Sequence, residues 1–242
     1  MKIIGIIQAR MGSSRLPGKV MMELAGEPML KRVFVRLSRA TRLNEVVVAT
    51  TVKSEDDLIA ELCKANSWPC SRGDEMDLLD RYYRAALQFG ADVIVRVTSD
   101  CPMIEPSIVD LVISEFLSNQ PLDYASNTID PRTFPRGLDN EAVSFDALRR
   151  AWEEDDDPAW REHVTPYIYR HPEIFKLRAL VNPIDYSSLR WTVDTPEDLA
   201  FASKLYNHFG HDRFSWIDVL KVLEEHRQWA EINRHVQQKI VL

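Results

Sequence analysis

The sequence predicts an α/β fold with a mainly parallel sheet. Three observations carry the expectation: short runs rich in β-branched residues at 3–7, 46–50 and 92–98, amphipathic helical stripes between them, and strand ends that run into charged loops. With 242 residues, 45% of them hydrophobic, the chain can bury the core of one such domain, and 1–242 is read as a single unit. A net charge of −7 and a pI near 5.4 argue against the broad basic face that nonspecific nucleic-acid binding needs. Cys63, Cys70 and Cys101 form no C-x-x-C pair and have no histidine at zinc spacing, so reduced thiols are expected. No apolar run approaches the ~20 residues of a membrane helix and the N-terminus begins directly with a strand. The expectation is a soluble, cytoplasmic protein with no membrane partner.

The first strand, Ile3-Ile4-Gly5-Ile6-Ile7, empties into Gln8-Ala9-Arg10-Met11-Gly12-Ser13-Ser14-Arg15-Leu16-Pro17-Gly18-Lys19. Pro28 then reads as the N1 residue of a helix whose Leu30, Val33, Phe34 and Leu37 make one apolar stripe. The run 46–50 is a second buried strand, and Ser54 with Asp57 resembles a capping box, opening a helix expected to bury Leu58 and Leu62. A short segment at 68–70 precedes a helix carrying Leu78, Leu79, Tyr82, Tyr83 and Ala86, and the strand at 92–98 ends at Ser99-Asp100-Cys101-Pro102. From Asp123 to about 189, prolines at 131, 135, 158, 166, 172 and 183 interrupt the alternation, leaving strand-like runs at 141–145 and 176–181. This stretch reads as an antiparallel, loop-rich half covering a crevice. Trp191-Thr192-Val193 is one more expected strand, ending at Asp194; Thr195-Pro196-Glu197-Asp198 opens a helix with Pro at N1 and an acid at N3. From Trp216 to the end the chain reads as one or two amphipathic helices.

The first loop has the composition of a phosphate site. Gly12 and Gly18 can free backbone N–H groups, while Arg10, Arg15 and Lys19 bring three positive charges to one place. It is not a P-loop, because five residues rather than four separate Gly12 from the Gly18-Lys19 pair and Val20 follows, and the dinucleotide motif G-x-G-x-x-G is absent. Asp100 and Asp194 each follow an expected strand and each precedes a proline by two residues. Two acids so placed can hold Mg²⁺, although capping of the following helix would equally explain Asp194 taken alone. None of the six histidines has H-E-x-x-H spacing, and Ser13 and Ser14 lie in no nucleophile elbow, which favours direct displacement over a covalent intermediate. Arg136, Asp139, Glu141, Arg161, Glu162 and His163 occupy the irregular half, where surface ion pairs are the ordinary reading of such residues.

The first-loop run from Ala9 to Lys19 resembles the R-x-G-S-x-R-L-P-G-K signature of the CMP-sugar-acid synthetases, such as the 3-deoxy-manno-octulosonate cytidylyltransferases. Similarity to the spore-coat polysaccharide cytidylyltransferase branch is closer, through Thr98-Ser99-Asp100-Cys101-Pro102, Phe134-Pro135-Arg136-Gly137-Leu138-Asp139, Arg161-Glu162-His163-Val164-Thr165-Pro166-Tyr167 and Val193-Asp194-Thr195-Pro196-Glu197-Asp198 in order. The resemblance implies a three-layer α/β/α, GT-A-like fold with a mostly parallel mixed sheet: a nucleotide half at about 1–122, an acceptor half at about 123–215, and helices at 216–242. It implies a Mg²⁺-dependent reaction in which CTP and an acidic sugar of ulosonic or nonulosonic type give a CMP-sugar and pyrophosphate, for surface polysaccharide or glycan synthesis.

By the same resemblance, Arg10, Arg15, Lys19 and Asp100 are catalytic, with Lys19 and Arg10 on the β and γ phosphates. Gln8, Ala9, Arg10, Gly12, Ser13, Ser14, Arg15, Lys19, Arg72, Asp77 and Asp100 bind nucleotide; Arg136, Asp139, Glu141 and His163 bind acceptor; Asp100 and Asp194 hold the metal. The octulosonate enzymes carry H-Q-S-G-T-E-R where this chain has Gly73-Asp74-Glu75-Met76-Asp77-Leu78-Leu79, a departure at the base-reading segment. Two rival readings are a sugar-1-phosphate nucleotidyltransferase using another base, and a nucleotide-binding regulator of the same fold without turnover. Relatives of this kind imply a homodimer.

Overall fold

The computed structural model describes residues 1–238; the part of the expected C-terminal helices at 239–242 lies outside the described residues. Strands β1 (Ile3–Gln8), β4 (Glu45–Thr51), β5 (Cys70–Gly73), β6 (Val93–Thr98), β7 (Tyr124–Ser126), β8 (Glu141–Ser144) and β9 (Leu177–Ala179) form one sheet in the order β5-β4-β1-β6-β8-β7-β9. A small hairpin, β2 (Glu23–Leu24) with β3 (Glu27–Pro28), stands apart. The β1–β4, β1–β6, β4–β5 and β7–β9 pairs are parallel, and β8 runs antiparallel to both β6 and β7, so the sheet is mixed and mostly parallel, as expected.

Period-two alternation distributes the strands' apolar residues over two faces. Ile3 and Ile7 pack with α1 (Met29–Leu37), α2 (Asp57–Ala65) and α4 (Pro106–Ser118), whereas Ile4 and Ile6 pack with α3 (Leu78–Phe89), α5 (Phe145–Glu154) and, beyond the short α6 (Pro158–Arg161), α7 (Pro166–Tyr169). These four isoleucines are buried, each contributing about 1.5–3 kcal/mol of transfer free energy. A third cluster joins α8 (Pro196–Phe209) and α9 (Trp216–Glu225) to Leu16, Leu24 and Trp191, anchoring the first loop from below. Among the described residues no helix is long and apolar enough to cross a membrane.

Several local expectations hold and several do not. The stripe of Leu30, Val33, Phe34 and Leu37 is buried, and Thr195 with Asp198 makes the full capping box. Pro28, however, is the N-cap residue of α1 and belongs to β3. Ser54 starts a short 3-10 turn, so α2 begins only at Asp57 and buries Ile59 and Cys63, leaving Leu58 half exposed. One inserted turn rotates the helix. Residues 191–193 are extended but join no ladder: only an isolated parallel bridge links Arg190 to Arg136. Beside that bridge Gly137 takes φ +106, and a Cβ there would lie 2.5 Å from the Thr192 nitrogen, so this close approach requires glycine.

Candidate active site

The carboxyl ends of β1, β4 and β6 open on one side of the sheet, where ligands of open α/β sheets collect. The first loop folds over these ends. Met11 is its pivot: its carbonyl accepts the N–H of Ser13 and of Gly18, both at 2.9 Å, and its own N–H donates to Asp56 Oδ1 at 2.6 Å. Gly18 takes φ +70, a left-handed conformation that turns the chain into a 3-10 segment and drives Lys19 inward. The N–H of Gly18 is therefore spent inside the loop, while those of Gly12 and Ser14 have no partner among the described residues. Gly18 shapes the loop; Gly12 lines the smaller cleft described below, with Glu55 and Glu75 carboxylates beside it.

Asp100 follows β6, and its backbone carbonyl accepts the Val193 N–H at 2.8 Å and the Thr192 hydroxyl at 3.2 Å. This stitch brings Asp194 beside Asp100. Lys19 Nζ sits between them, donating to Asp100 Oδ2 at 2.9 Å, to Asp194 Oδ1 at 2.8 Å and to the Val193 carbonyl at 2.8 Å. Arg15 reaches Asp194 Oδ2 at 2.9 Å. Burial pushes the Asp100 carboxyl up, but the Lys19 charge and hydrogen bonds from Thr98, Lys19 and Cys101 outweigh it and hold the group at about 2. Burial lowers the Lys19 pKa, yet the two aspartates outweigh it and raise the ammonium above its ordinary value. The pair stays fully charged.

Lys19, expected with Arg10 on the β and γ phosphates, lies here against the two carboxylates. Two carboxylates meeting in a partly enclosed cleft draw the nearest ammonium, and Lys19 fills the position where their charges converge. That position also tests the metal. It already holds a positive charge, the donors are hard carboxylate oxygens, and among the described residues no third histidine, cysteine or acid joins them into a closed cage. A Mg²⁺-type ion, which takes one or two carboxylates and completes its shell with water and phosphate oxygens, fits this donor set.

Two adjoining clefts share Asp100, Asp194, Gln8, Arg10, Arg15 and His163. The smaller, of about 200 Å³, is lined by Ala9, Gly12, Ser13, Ser14 and Lys19. The larger, of about 790 Å³, is lined by Arg136, Asp139 and Glu141, with Ile129, Tyr169 and Leu177 as an apolar wall. Arg10 is half exposed and lies 3.4 Å from Glu162 across the mouth. The structure thus gathers most of the residues expected from sequence.

Arg72 and Asp77 are the exceptions. Arg72 donates to the carbonyls of Thr51 and Lys53 and pairs with Asp57 at 2.7 Å, bracing the β4–β5 edge. Asp77 caps α3 through Asp80 N and pairs with Arg161, whose remaining donors hold the Trp152 and Asp155 carbonyls. Both lie outside the two clefts, with their hydrogen-bonding capacity engaged in holding the backbone. Glu141 lines the larger cleft, but its oxygens are taken by Arg96, by the Tyr124 hydroxyl at 2.9 Å and by Thr165 Oγ1 at 2.6 Å. It holds Arg96 in place beneath the larger cleft, with both its oxygens engaged. Arg96 was invisible as a site residue; its signal was an arginine inside the otherwise apolar run Val93-Ile94-Val95-Arg96-Val97. Arg136 has no side-chain hydrogen bond or ion pair among the described residues, and burial together with Arg132 lowers its pKa against the pull of Asp139.

A cytidylyltransferase family model matches residues 4–232. The chain is 32% identical over 218 residues to the spore coat polysaccharide biosynthesis protein SpsF of Bacillus subtilis, covering 86% of this chain and 88% of that one. It is 29% identical over 246 residues to a 3-deoxy-manno-octulosonate cytidylyltransferase of Trichlorobacter lovleyi, covering 82% and 96%. The solved structure of a cytidylyltransferase from Leptospira borgpetersenii superposes with a TM-score of 0.91 at 35% identity, covering 99% of both chains.

Proposed function

This chain belongs to the cytidylyltransferase family and is a nucleotidyltransferase, and we propose that it joins CTP to an acidic sugar of ulosonic type, releasing pyrophosphate. The observation that carries the reading is the meeting of Arg10, Arg15 and Lys19 with Asp100 and Asp194 where two clefts of unequal size adjoin. The smaller cleft suits a triphosphate. A chain of about four negative charges needs fixed cations and free N–H groups, which Arg10, Arg15, Gly12 and Ser14 supply. The larger cleft suits a sugar acid, its carboxylate on Arg136 and its hydroxyls on Asp139 and His163.

In the reaction the acceptor oxygen attacks the α-phosphorus as its hydroxyl gives up the proton to solvent, the bond from that phosphorus to the α–β bridging oxygen breaks, and pyrophosphate leaves with the electron pair. Asp100 and Asp194 would hold Mg²⁺, which when bound neutralises phosphate charge and lowers the pKa of the attacking hydroxyl. Lys19 and Arg15, both on Asp194, stand where they would counter phosphate charge. Arg96, fixed by Glu141, adds positive potential beneath the acceptor. The reading includes a cytoplasmic homodimer serving surface polysaccharide or glycan synthesis.

Pyrophosphate release should be measured with CTP, UTP, GTP and ATP against a panel of 3-deoxy-ulosonic acids and of sugar 1-phosphates. Turnover with CTP and an ulosonic acid alone is the expected result. Turnover only with a sugar 1-phosphate would replace this reading, and nucleotide binding without turnover on any acceptor would favour a regulator; sedimentation of the same sample reports the assembly.

A further inference from the structure

Behind Asp194 lies a layer of buried charge that the proposed chemistry does not use. Arg190, its side chain 6% exposed, donates from Nη2 to Asp194 Oδ2 at 2.8 Å, and from Nε and Nη2 to the two oxygens of Asp198 at 2.9 Å each. Asp198 is fully buried and is held in turn: the N–H groups of Asp194 and Thr195 donate to its Oδ2 at 3.0 and 3.1 Å, and Asn233 Nδ2 donates to its Oδ1 at 2.8 Å. Asn233 also donates to the Arg190 carbonyl at 3.0 Å, so residues near the end of the described chain brace the same pair.

A buried arginine–carboxylate pair is a poor device for stability alone, because apolar residues of equal volume serve at least as well. Its geometry is what it contributes. A planar guanidinium anchored at two points cannot rotate, and its remaining donor is aimed at one oxygen of its neighbour. Here that neighbour is Asp194, and the oxygen taken is Oδ2, which Arg15 also reaches at 2.9 Å from the first loop while Arg190 Nη1 donates to Gln238 Oε1 at 2.6 Å; Oδ1 is the one turned toward Lys19 and Asp100.

We propose that Arg190 is a positioning residue: clamped by Asp198, it occupies Oδ2 of Asp194 and fixes the carboxylate's rotation, so that Oδ1 is presented together with Asp100 to a divalent cation. The inference rests on the reading of Asp194 as a metal ligand. Partners that orient a metal's ligands commonly govern affinity by 10- to 100-fold, and a lysine, with a single point charge, should recover only part of the effect.

The test is a titration of the full-length protein with Mn²⁺ alone, followed by solvent-proton relaxation, with thermal unfolding recorded on each sample. Asp194→Asn is expected to abolish specific Mn²⁺ binding. Arg190→Met should weaken it by about 10-fold or more, with Arg190→Lys in between. Because Arg190→Met strands a buried carboxylate, the double variant Arg190→Met with Asp198→Asn removes both charges together and should show the same weakening while remaining folded. Parental Mn²⁺ affinity in the folded double variant, with binding lost in Asp194→Asn, would overturn the positioning role and leave the metal reading intact. Parental affinity in Asp194→Asn would overturn both.

Discussion

The two sides of the cleft handle charge differently. On the first-loop side Lys19, Arg15, Asp100 and Asp194 neutralise one another, with Arg190 and Asp198 behind them, so the side chains are fixed before any ligand arrives. On the acceptor side Arg96 is matched by Glu141 and Arg132 by Asp139, but Arg136 has no ion pair among the described residues. The contrast separates preorganisation from selection. On the proposed reading, the groups locked to each other serve the phosphate chemistry, and Arg136 is left to be completed by the acceptor.

The largest expected effect strikes the locked side. Asp100→Ala should lower turnover by about 10³-fold while CTP binding without metal survives, as read by equilibrium dialysis; near-normal turnover would remove Asp100 from the reaction. Lys19→Met should raise the KM for CTP by about 10- to 100-fold, since it removes a phosphate cation and leaves Asp100 and Asp194 facing each other. Arg136→Ala should leave the KM for CTP alone and reduce kcat/KM for an acidic acceptor by a similar factor; equal losses on acidic and neutral acceptors would erase the contrast.

Smaller effects follow from pH. Because Asp100 titrates at about 2 in the folded chain, the stability it contributes is full above the ordinary carboxylate range and is lost as pH falls toward 2. Lys19, raised in the folded state, contributes below the ordinary lysine range and loses that contribution as pH climbs through its raised value. Unfolding titrations of Asp100→Asn should therefore lose part of the acid limb, and those of Lys19→Met part of the alkaline one. Arg72→Ala, by contrast, should change the KM for CTP by less than about 2-fold, with a stability cost near 1 kcal/mol from its bonds to the Thr51 and Lys53 carbonyls.

Features carried by adjacent residues could be read from the sequence. The first loop, Asp100, Asp194 and the Thr195 capping box each sit within a short run, and the structure places them at strand ends or helix starts as that run suggests. What stayed hidden depends on partners far along the chain. Glu141 reads as a sugar ligand until Arg96, Tyr124 and Thr165 close on it. Asp77 reads as a base contact until Arg161 arrives from α6. Asp56, which no local pattern singles out, fixes the first loop through Met11 and bonds the Thr51 hydroxyl. Leu58 lost its expected burial because a 3-10 turn shifted the helical phase, a change of register that periodicity does not report.

The contact at Gly137 has a consequence for how this site can diverge. With the Thr192 nitrogen 2.5 Å from where a first side-chain carbon would stand, and with Arg136 bonded through its backbone to Leu189 and Trp191, a side chain at position 137 would push on the segment that leads to Asp194. A descendant that keeps the glycine can exchange side chains around the cleft and leave that segment where it is.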